Sequence, residues 1–291
     1  MDRIVVEWVV ILFLFTLFIG LVAPISGVGG GVLFVPLATA FSPFSIDFIR
    51  GAGLIMALTS ALSSSPYLIK KGLANAKIMF PLVIVSNVTA IIGGIVGLWI
   101  TNVFPLGEAY FTIALGGVLF LVFVVMITSK RVEFPEVKKV DAFSKKLSLS
   151  GTWYEPSLNR TIDYETTNLP LGLVCFGAVG FVAGMFGMGA GWASVPVLNL
   201  IMGAPIKVSV ATSMSIIAVN SAAASWVYMA KGAILPFICI PSVIGITIGA
   251  RIGAKLATRI KPLFVKYLVM GIMLFAAILD ILKGLSGLSI V

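Results

Sequence analysis

Histidine is absent from all 291 residues. That removes imidazole proton relays, histidine-containing metal sites, and every serine or cysteine catalysis that depends on a histidine base. Charge is scarce: 11% of residues are Asp, Glu, Lys or Arg, against roughly a quarter in a soluble domain. There are two cysteines, Cys175 and Cys239, both inside apolar runs; they read as small hydrophobes and define no disulfide scaffold. The dipeptide Gly-Lys never occurs, so there is no Walker A loop. Gly284-Leu285-Ser286-Gly287 has the look of an intramembrane serine protease motif, but without a histidine base it reads as a helix-end turn. Catalysis is therefore not expected, and no cofactor or metal is called for.

What the chain has instead is apolar sequence. Hydrophobic residues make up 59% and the mean hydropathy is +1.14. A water-soluble globule of this size cannot bury so much apolar surface, so the chain belongs in a bilayer, and disorder is excluded. The net charge of +9 does not point to nucleic acid, because the basic residues sit in short loops beside apolar segments, as in the cytoplasmic loops of membrane proteins. The cell membrane, crossed many times, is the expected location.

Segments of spanning length cover about Val5–Ala23, Phe48–Ile69, Ile78–Ile100 and Ala109–Thr128, with a short apolar piece at Val32–Phe41. After a polar stretch the order recurs: about Leu171–Met188, the short piece Trp192–Met202, then Val208–Met229, Leu235–Ala257 and Leu263–Leu282. A shift of 160 residues superimposes the halves without a gap. Gly20, Gly27, Gly29, Gly31, Val35 and Pro36 fall on Gly180, Gly187, Gly189, Gly191, Val195 and Pro196. Lys71-Gly72 falls on Lys231-Gly232, Pro81 on Pro241 and Gly93 on Gly253. Matched Gly and Pro mark backbone events rather than generic apolarity, so the chain is a tandem duplication. Residues 1–128 form the first transmembrane repeat, 129–169 a polar cytoplasmic linker, and 170–291 the second repeat. The linker reads as a loop or small lid. Its Asn159-Arg160-Thr161 has the form of a glycosylation sequon but is not used on the cytoplasmic side.

Loop charge gives the direction of each repeat. Lys70, Lys71 and Lys77 form one basic group, Lys130, Arg131, Lys138 and Lys139 a second, and Arg251, Lys255, Arg259, Lys261 and Lys266 a third; Thr101–Gly107 has none. All three groups share the cytoplasmic side if each repeat crosses five times, counting the short piece. Both termini are then outside and the repeats are inverted, as in many secondary transporters. If the short pieces instead re-enter, the third group lies outside, which the charge rule disfavours. The expected fold class is thus an all-α polytopic membrane protein of two inverted repeats with about eight to ten membrane segments, each repeat carrying a Gly-rich broken-helix element.

That element is Gly27-Val28-Gly29-Gly30-Gly31 with Pro36 beyond, and its copy Gly187-Met188-Gly189-Ala190-Gly191 with Pro196. So many glycines in five residues do not make a stable helix interior. Each break ends a long helix and precedes a piece too short to cross alone. Irregular backbone at membrane depth needs protein or water around it. The helix after each break aims free N–H groups and the positive dipole end at one spot, which suits an anion. The competing reading is close helix packing, since Gly27-x-x-x-Gly31 is also a small-residue pair; two copies at equivalent places, each followed by proline, favour the site. Thr212, Ser213, Ser215, Asn220 and Ser221 follow the second break, and Thr59, Ser60, Ser63, Ser64 and Ser65 the first. Most such hydroxyls bond back to their own helix. A mid-membrane Asn costs several kcal/mol, about 2–7, without a partner, which makes Asn220 the best single polar candidate. Asp47, Arg50 and Lys207 read as interface anchors and Asp280 as a surface residue near a helix end, leaving no deeply buried acid and no basic residue at the centre of a span.

G-x-G-G-G-x-x-x-x-P near the start of a half, Ala211-Thr212-Ser213 after the second break, Lys-Gly before the next span and the duplicated layout together resemble the sulfite exporter TauE/SafE family over nearly the whole chain outside the linker. The resemblance implies a transporter of small sulfur-containing anions such as sulfite, thiosulfate or organosulfonates. By position, Gly27, Gly29, Gly30, Gly31, Pro36, Gly187, Gly189, Gly191, Pro196, Thr212 and Ser213 match its pattern. Ala190 departs from the glycine usual there, and Gly51-Ala52-Gly53 replaces Ala-Thr-Ser in the first half, so the half-sites are unequal. The candidate substrate-binding set is Gly27, Gly29, Gly30, Gly31, Gly187, Gly189, Gly191, Thr212, Ser213 and Asn220. The expected partners are the small sulfur anion and the lipid bilayer, with a homo-oligomer compatible. An anion channel and a membrane assembly factor are the alternatives.

Overall fold

A computed structural model describes residues 2–128, 133–137, 139–155, 159–257 and 262–289. The described chain is helical apart from one hairpin. The first half contains α1 (Asp2–Ser26), α2 (Gly30–Phe41), α3 (Ile46–Lys70), α4 (Ala76–Val103) and α5 (Gly107–Thr128). The linker carries α6 (Ala142–Lys146), β1 (Ser150–Glu155) and β2 (Arg160–Glu165). The second half contains α7 (Leu169–Phe186), α8 (Gly191–Pro196) running on through a π turn (Val197–Ile201), α9 (Ile206–Ala230), α10 (Pro236–Ala257) and α11 (Pro262–Ser289). Eight of these helices are long and apolar enough to span a bilayer, and α2 and α8 with its π turn are the two shorter apolar pieces. The outward faces carry large bare hydrophobes such as Phe80, Val174, Trp226 and Ile240. Lipid is the solvent that accommodates such faces. This is an all-α polytopic membrane protein.

Small residues fix the helix pairs, because interhelical association in lipid rests on close van der Waals approach. Gly245 of α10 faces Phe13 and Thr16 of α1, Gly249 faces Leu17 and Gly20, and Gly253 faces Leu21, so α1 and α10 run side by side in the same direction. The 160-residue equivalents do likewise: Gly180 of α7 faces Ser86 of α4, and Gly184 faces Ala90. At Gly184 an added Cβ would fall 1.9 Å from the Ala90 carbonyl oxygen, so no larger residue fits. Helices α5 and α11 pair in opposite directions, with Gly116 against Ala277 and Ile281, and Gly284 against Ala109 and Ile113. At the centre α3 lies against α9, also antiparallel. Gly51 near the start of α3 meets Ala233 just beyond α9, and Asn75 just beyond α3 donates its N–H to Thr212 early in α9, at 3.1 Å.

The linker is docked on one end of this bundle. Asn75 caps α4 through its side-chain oxygen and donates its Nδ2 to the Ser150 carbonyl at 3.1 Å and to the Tyr164 hydroxyl at 2.8 Å. Trp153 on β1 is buried with Ala57, Ala61, Ala211, Met214 and Ile217 of α3 and α9, flanked by Phe134 and Tyr164 rings at 6.1 and 5.7 Å. A two-stranded ribbon is marginal alone; this one buries its tryptophan in an apolar cluster shared with the bundle and is tied to Asn75 by hydrogen bonds.

Candidate functional site

The two glycine breaks touch. A Cβ on Gly31 would lie 2.6 Å from the Met188 carbonyl oxygen, and one on Gly191 would lie 1.8 Å from that of Val28. Under the 160-residue shift Val28 matches Met188 and Gly31 matches Gly191, so each break packs its carbonyl on the other's first helical turn. Local geometry requires glycine at the turn positions: Gly29 has φ 83° and ψ 154°, a region essentially closed to other residues, and Gly189 has φ 76°. Neither following helix has a side-chain N-cap, so their first N–H groups are left for something other than a capping side chain. Gly30 packs against Ile246, the Met56 carbonyl and Ser60. Gly27 is pinned from outside by Ser213, whose hydroxyl donates to the Gly27 carbonyl at 3.0 Å. Gly187 sits against the Arg50 backbone.

Around the breaks lie buried donors without partners. Ser60 Oγ, Ser221 Oγ, Asn220 Nδ2 and Trp192 Nε1 are shielded and unpaired. Ser60 is beside Gly30, and Ser221 Oγ is 3.4 Å from the Cβ position of Gly189. Asn220 is 2% exposed; its Oδ1 accepts from Ser86 Oγ at 3.0 Å, which leaves its amide N–H groups unused. An unsatisfied buried donor costs about 1–3 kcal/mol; Ser60, Ser221 and Trp192 stand within or beside the two irregular turns, and Asn220 one residue before Ser221 in α9. Ile217 lies over both breaks, its side-chain carbons 3.2 Å from the Cβ position of Gly29 and 2.6 Å from that of Gly191.

The structure thus brings together Gly27, Gly29, Gly30, Gly31, Gly187, Gly189, Gly191 and Ser213; Asn220 instead faces Ser86 of α4, which packs on Gly180 of α7. Thr212 stands apart, holding the Asn75 N–H at the α3–α4 turn; Ser215 bonds back to the Ala211 carbonyl. Ser60 is the residue that sequence reasoning undervalued. The signal was present, because the 160-residue shift places Ser60 on Asn220. Two expectations are corrected. Arg50 is not an interface anchor: it is fully buried and paired with Asp47 at 2.7 Å, with Gly97 of α4 and Gly187 leaving room for it. Asp280 is not at the surface either: it is fully buried, with both carboxylate oxygens lacking a hydrogen-bond partner. Lys283, one turn on, donates instead to the carbonyls of Thr39 and Ser42.

No group of three or more His, Cys, Asp or Glu side chains among the described residues is placed to hold a metal ion. The family model of the sulfite exporter TauE/SafE matches residues 12–279, which take in both breaks and every helix that positions them. The chain belongs to that family. It is also similar to the probable membrane transporter protein YunE of Bacillus subtilis (strain 168), with 26% identity over 261 residues, 87% of this chain and 89% of that protein. No solved structure matches it. The similarity runs across both halves and the linker, so membrane transport is the activity class of the whole chain.

Proposed function

We propose that this protein is a secondary transporter moving a small sulfur-containing anion, such as sulfite, thiosulfate or an organosulfonate, across the cytoplasmic membrane. The observation that carries this reading is the meeting of two uncapped helix starts beside the unpartnered hydroxyls of Ser60 and Ser221, with the unpartnered amide of Asn220 on the same helix as Ser221. Neutral donors and helix N-termini bind an oxyanion without trapping it. Weak retention suits a carrier that has to release its cargo. The seven glycines let ligand and backbone approach each other, and Ser213 fixes the first break; Thr212 contributes through the α3–α4 turn.

The two halves, 1–128 and 170–291, act as inverted repeats. Supporting this, α1 runs with α10, α4 with α7, and α3 against α9, which gives equivalent helices opposite directions. The linker, 129–169, acts as a cytoplasmic lid, its buried Trp153 sharing one apolar cluster with residues of α3 and α9; a cleft of about 690 Å³ opens beside it and one of about 680 Å³ at the opposite end. Alternating access then exposes the breaks to one end and the other in turn.

The test is uptake of sulfite, thiosulfate, sulfoacetate, sulfate and chloride into proteoliposomes. Saturable uptake selective for a sulfur oxyanion or sulfonate is expected. Non-saturating flux of any small anion would mean a channel, and no flux with any of them would overturn the reading.

A further inference from the structure

Arg50 presents a problem that the central site does not solve. It is fully buried within α3. Its Nη2 donates to Asp47 Oδ1 at 2.7 Å, but Nε and Nη1 have no hydrogen-bond partner although both are shielded. The guanidinium carbon stands 4.2 Å from the centre of the Phe111 ring and 5.4 Å from that of Tyr228. Aromatic faces hold a cation in place but satisfy none of its N–H groups. An intramembrane charge is costly and marks a pathway or a ligand by default, and a planar guanidinium is matched in shape to an oxyanion.

The surroundings point the same way. On one side the Arg50 backbone rests on Gly187, the first residue of the second break. On another, Gly97 of α4 leaves the room that Nη1 occupies, 3.3 Å from where its Cβ would be. Asp47 stands between the guanidinium and the open cleft, which is also lined by Leu98, Asn102 and Lys231. Asp47 has other donors in reach: the single Thr101 hydroxyl proton, its oxygen 3.0 and 3.1 Å from the two Asp47 oxygens and 3.2 Å from the Gly97 and Leu98 carbonyls, and Asn102 Nδ2 at 3.4 Å. It therefore keeps a hydrogen-bond donor when Arg50 lets go. The second repeat has nothing comparable, since Val210 and Lys207 occupy the equivalent positions.

We infer that Arg50 is a second anion-binding station, between the cleft on the face away from the linker and the glycine breaks, with Asp47 as its resident counter-ion. An anion arriving past Lys231 exchanges with the Asp47 carboxylate on Arg50 and then moves to the neutral donors at the breaks. The pair keeps the empty station free of an uncompensated charge. Because only the first repeat carries it, the station serves one face. This inference rests on the transport reading and adds a residue and a sidedness to it.

The test is sulfite and thiosulfate flux through the full chain in proteoliposomes of known orientation, with half-saturation measured separately from each face. Arg50→Gln is expected to raise the half-saturating concentration at least tenfold from the face away from the linker, with little change from the linker face. Asp47→Asn, which frees the guanidinium, is expected to lower it severalfold on that same face. A merely structural ion pair gives the opposite pattern: Asp47→Asn then raises half-saturation or loses folded protein as Arg50→Gln does, and either result overturns the inference. Saturable wild-type flux with both variants unchanged overturns it too, while leaving the transport reading intact. Absence of wild-type flux defeats the transport reading itself.

Discussion

The Val28 carbonyl oxygen lies 1.8 Å from where a Cβ of residue 191 would be, and the Met188 carbonyl oxygen 2.6 Å from the same point at residue 31. The two breaks are built against each other, each using the other's glycine as the space for its own carbonyl. Backbone stands on both sides of these contacts, so a methyl group has no flexible neighbour to push aside. Gly191→Ala is expected to lose transport and to lower stability by about 1–3 kcal/mol or more, in the range of overpacked cores. Gly29→Leu is expected to abolish flux for a different reason, its φ of 83°. Thermal melting and flux of the purified variants check both; wild-type flux in either would reduce the glycines to packing devices.

Ile217 covers both breaks. Replacing it with Ala removes three carbons from the centre of the site, at a cost of about 2–5 kcal/mol for truncating a buried Ile. If the space it fills is the substrate's, Ile217→Ala shifts selectivity toward bulkier sulfonates. Flux of sulfoacetate relative to sulfite is the readout, and the ratio is expected to rise.

The linker is latched by Asp141, which caps α6 by accepting from the N–H groups of Phe143 and Ser144 and from the Ser144 hydroxyl. Burial acts to raise this carboxyl, but the hydrogen bonds from Ser144, Leu169 and Phe143 outweigh it and hold it below its ordinary 3.8. A carboxyl depressed on folding stabilises the latch above its unfolded value and loses that contribution as pH falls through the folded one. Acidification below about pH 4 is expected to increase protease cleavage of the hairpin, and Asp141→Asn to increase it at neutral pH.

The relative direction of the repeats is open to labelling. Gly72 and Lys145 are expected to lie on one face of the membrane and Gly232 on the other, all three being exposed. Single cysteines at these positions, in a chain lacking Cys175 and Cys239, should react from opposite sides accordingly. Of the basic groups, Lys130, Arg131, Lys138, Arg259 and Lys261 lie outside the described residues. Labelling of Lys145 and Gly232 from the same face would contradict the inverted arrangement.

Much of this architecture was legible in the chain. The spans follow from length and apolarity, and the breaks from glycines repeated 160 residues apart. Buried polarity was less legible. Arg50, four residues into α3, and Asp280, nine before the end of α11, read as interfacial because sequence distance from a helix end stands in for depth. Which face of the helix they occupy depends on the tilt and packing of Phe111, Tyr228 and the neighbouring helices. Thr212 illustrates the converse: its position beside Ser213 suggested a shared role, but successive helical residues diverge by about 100°, and only Ser213 reaches the break. The hairpin in the linker is tied to the bundle by Asn75 and by the burial of Trp153 in a cluster shared with α3 and α9, long-range relationships without a local signal.

The central claim is that an anion is held at the meeting of the two breaks by neutral donors, with Asn220 and Ser60 as the matched pair. Equilibrium binding of radiolabelled sulfite and thiosulfate to the purified full chain addresses it directly. A hydrogen bond to a charged ligand contributes about 1.5–3 kcal/mol, so Asn220→Ala is expected to weaken binding about tenfold or more. Ser60→Ala should weaken it severalfold, while Lys71→Ala leaves affinity nearly unchanged and alters rate. Undiminished binding in both Asn220→Ala and Ser60→Ala, with loss in Lys71→Ala, would contradict the account and place the anion at the membrane surface.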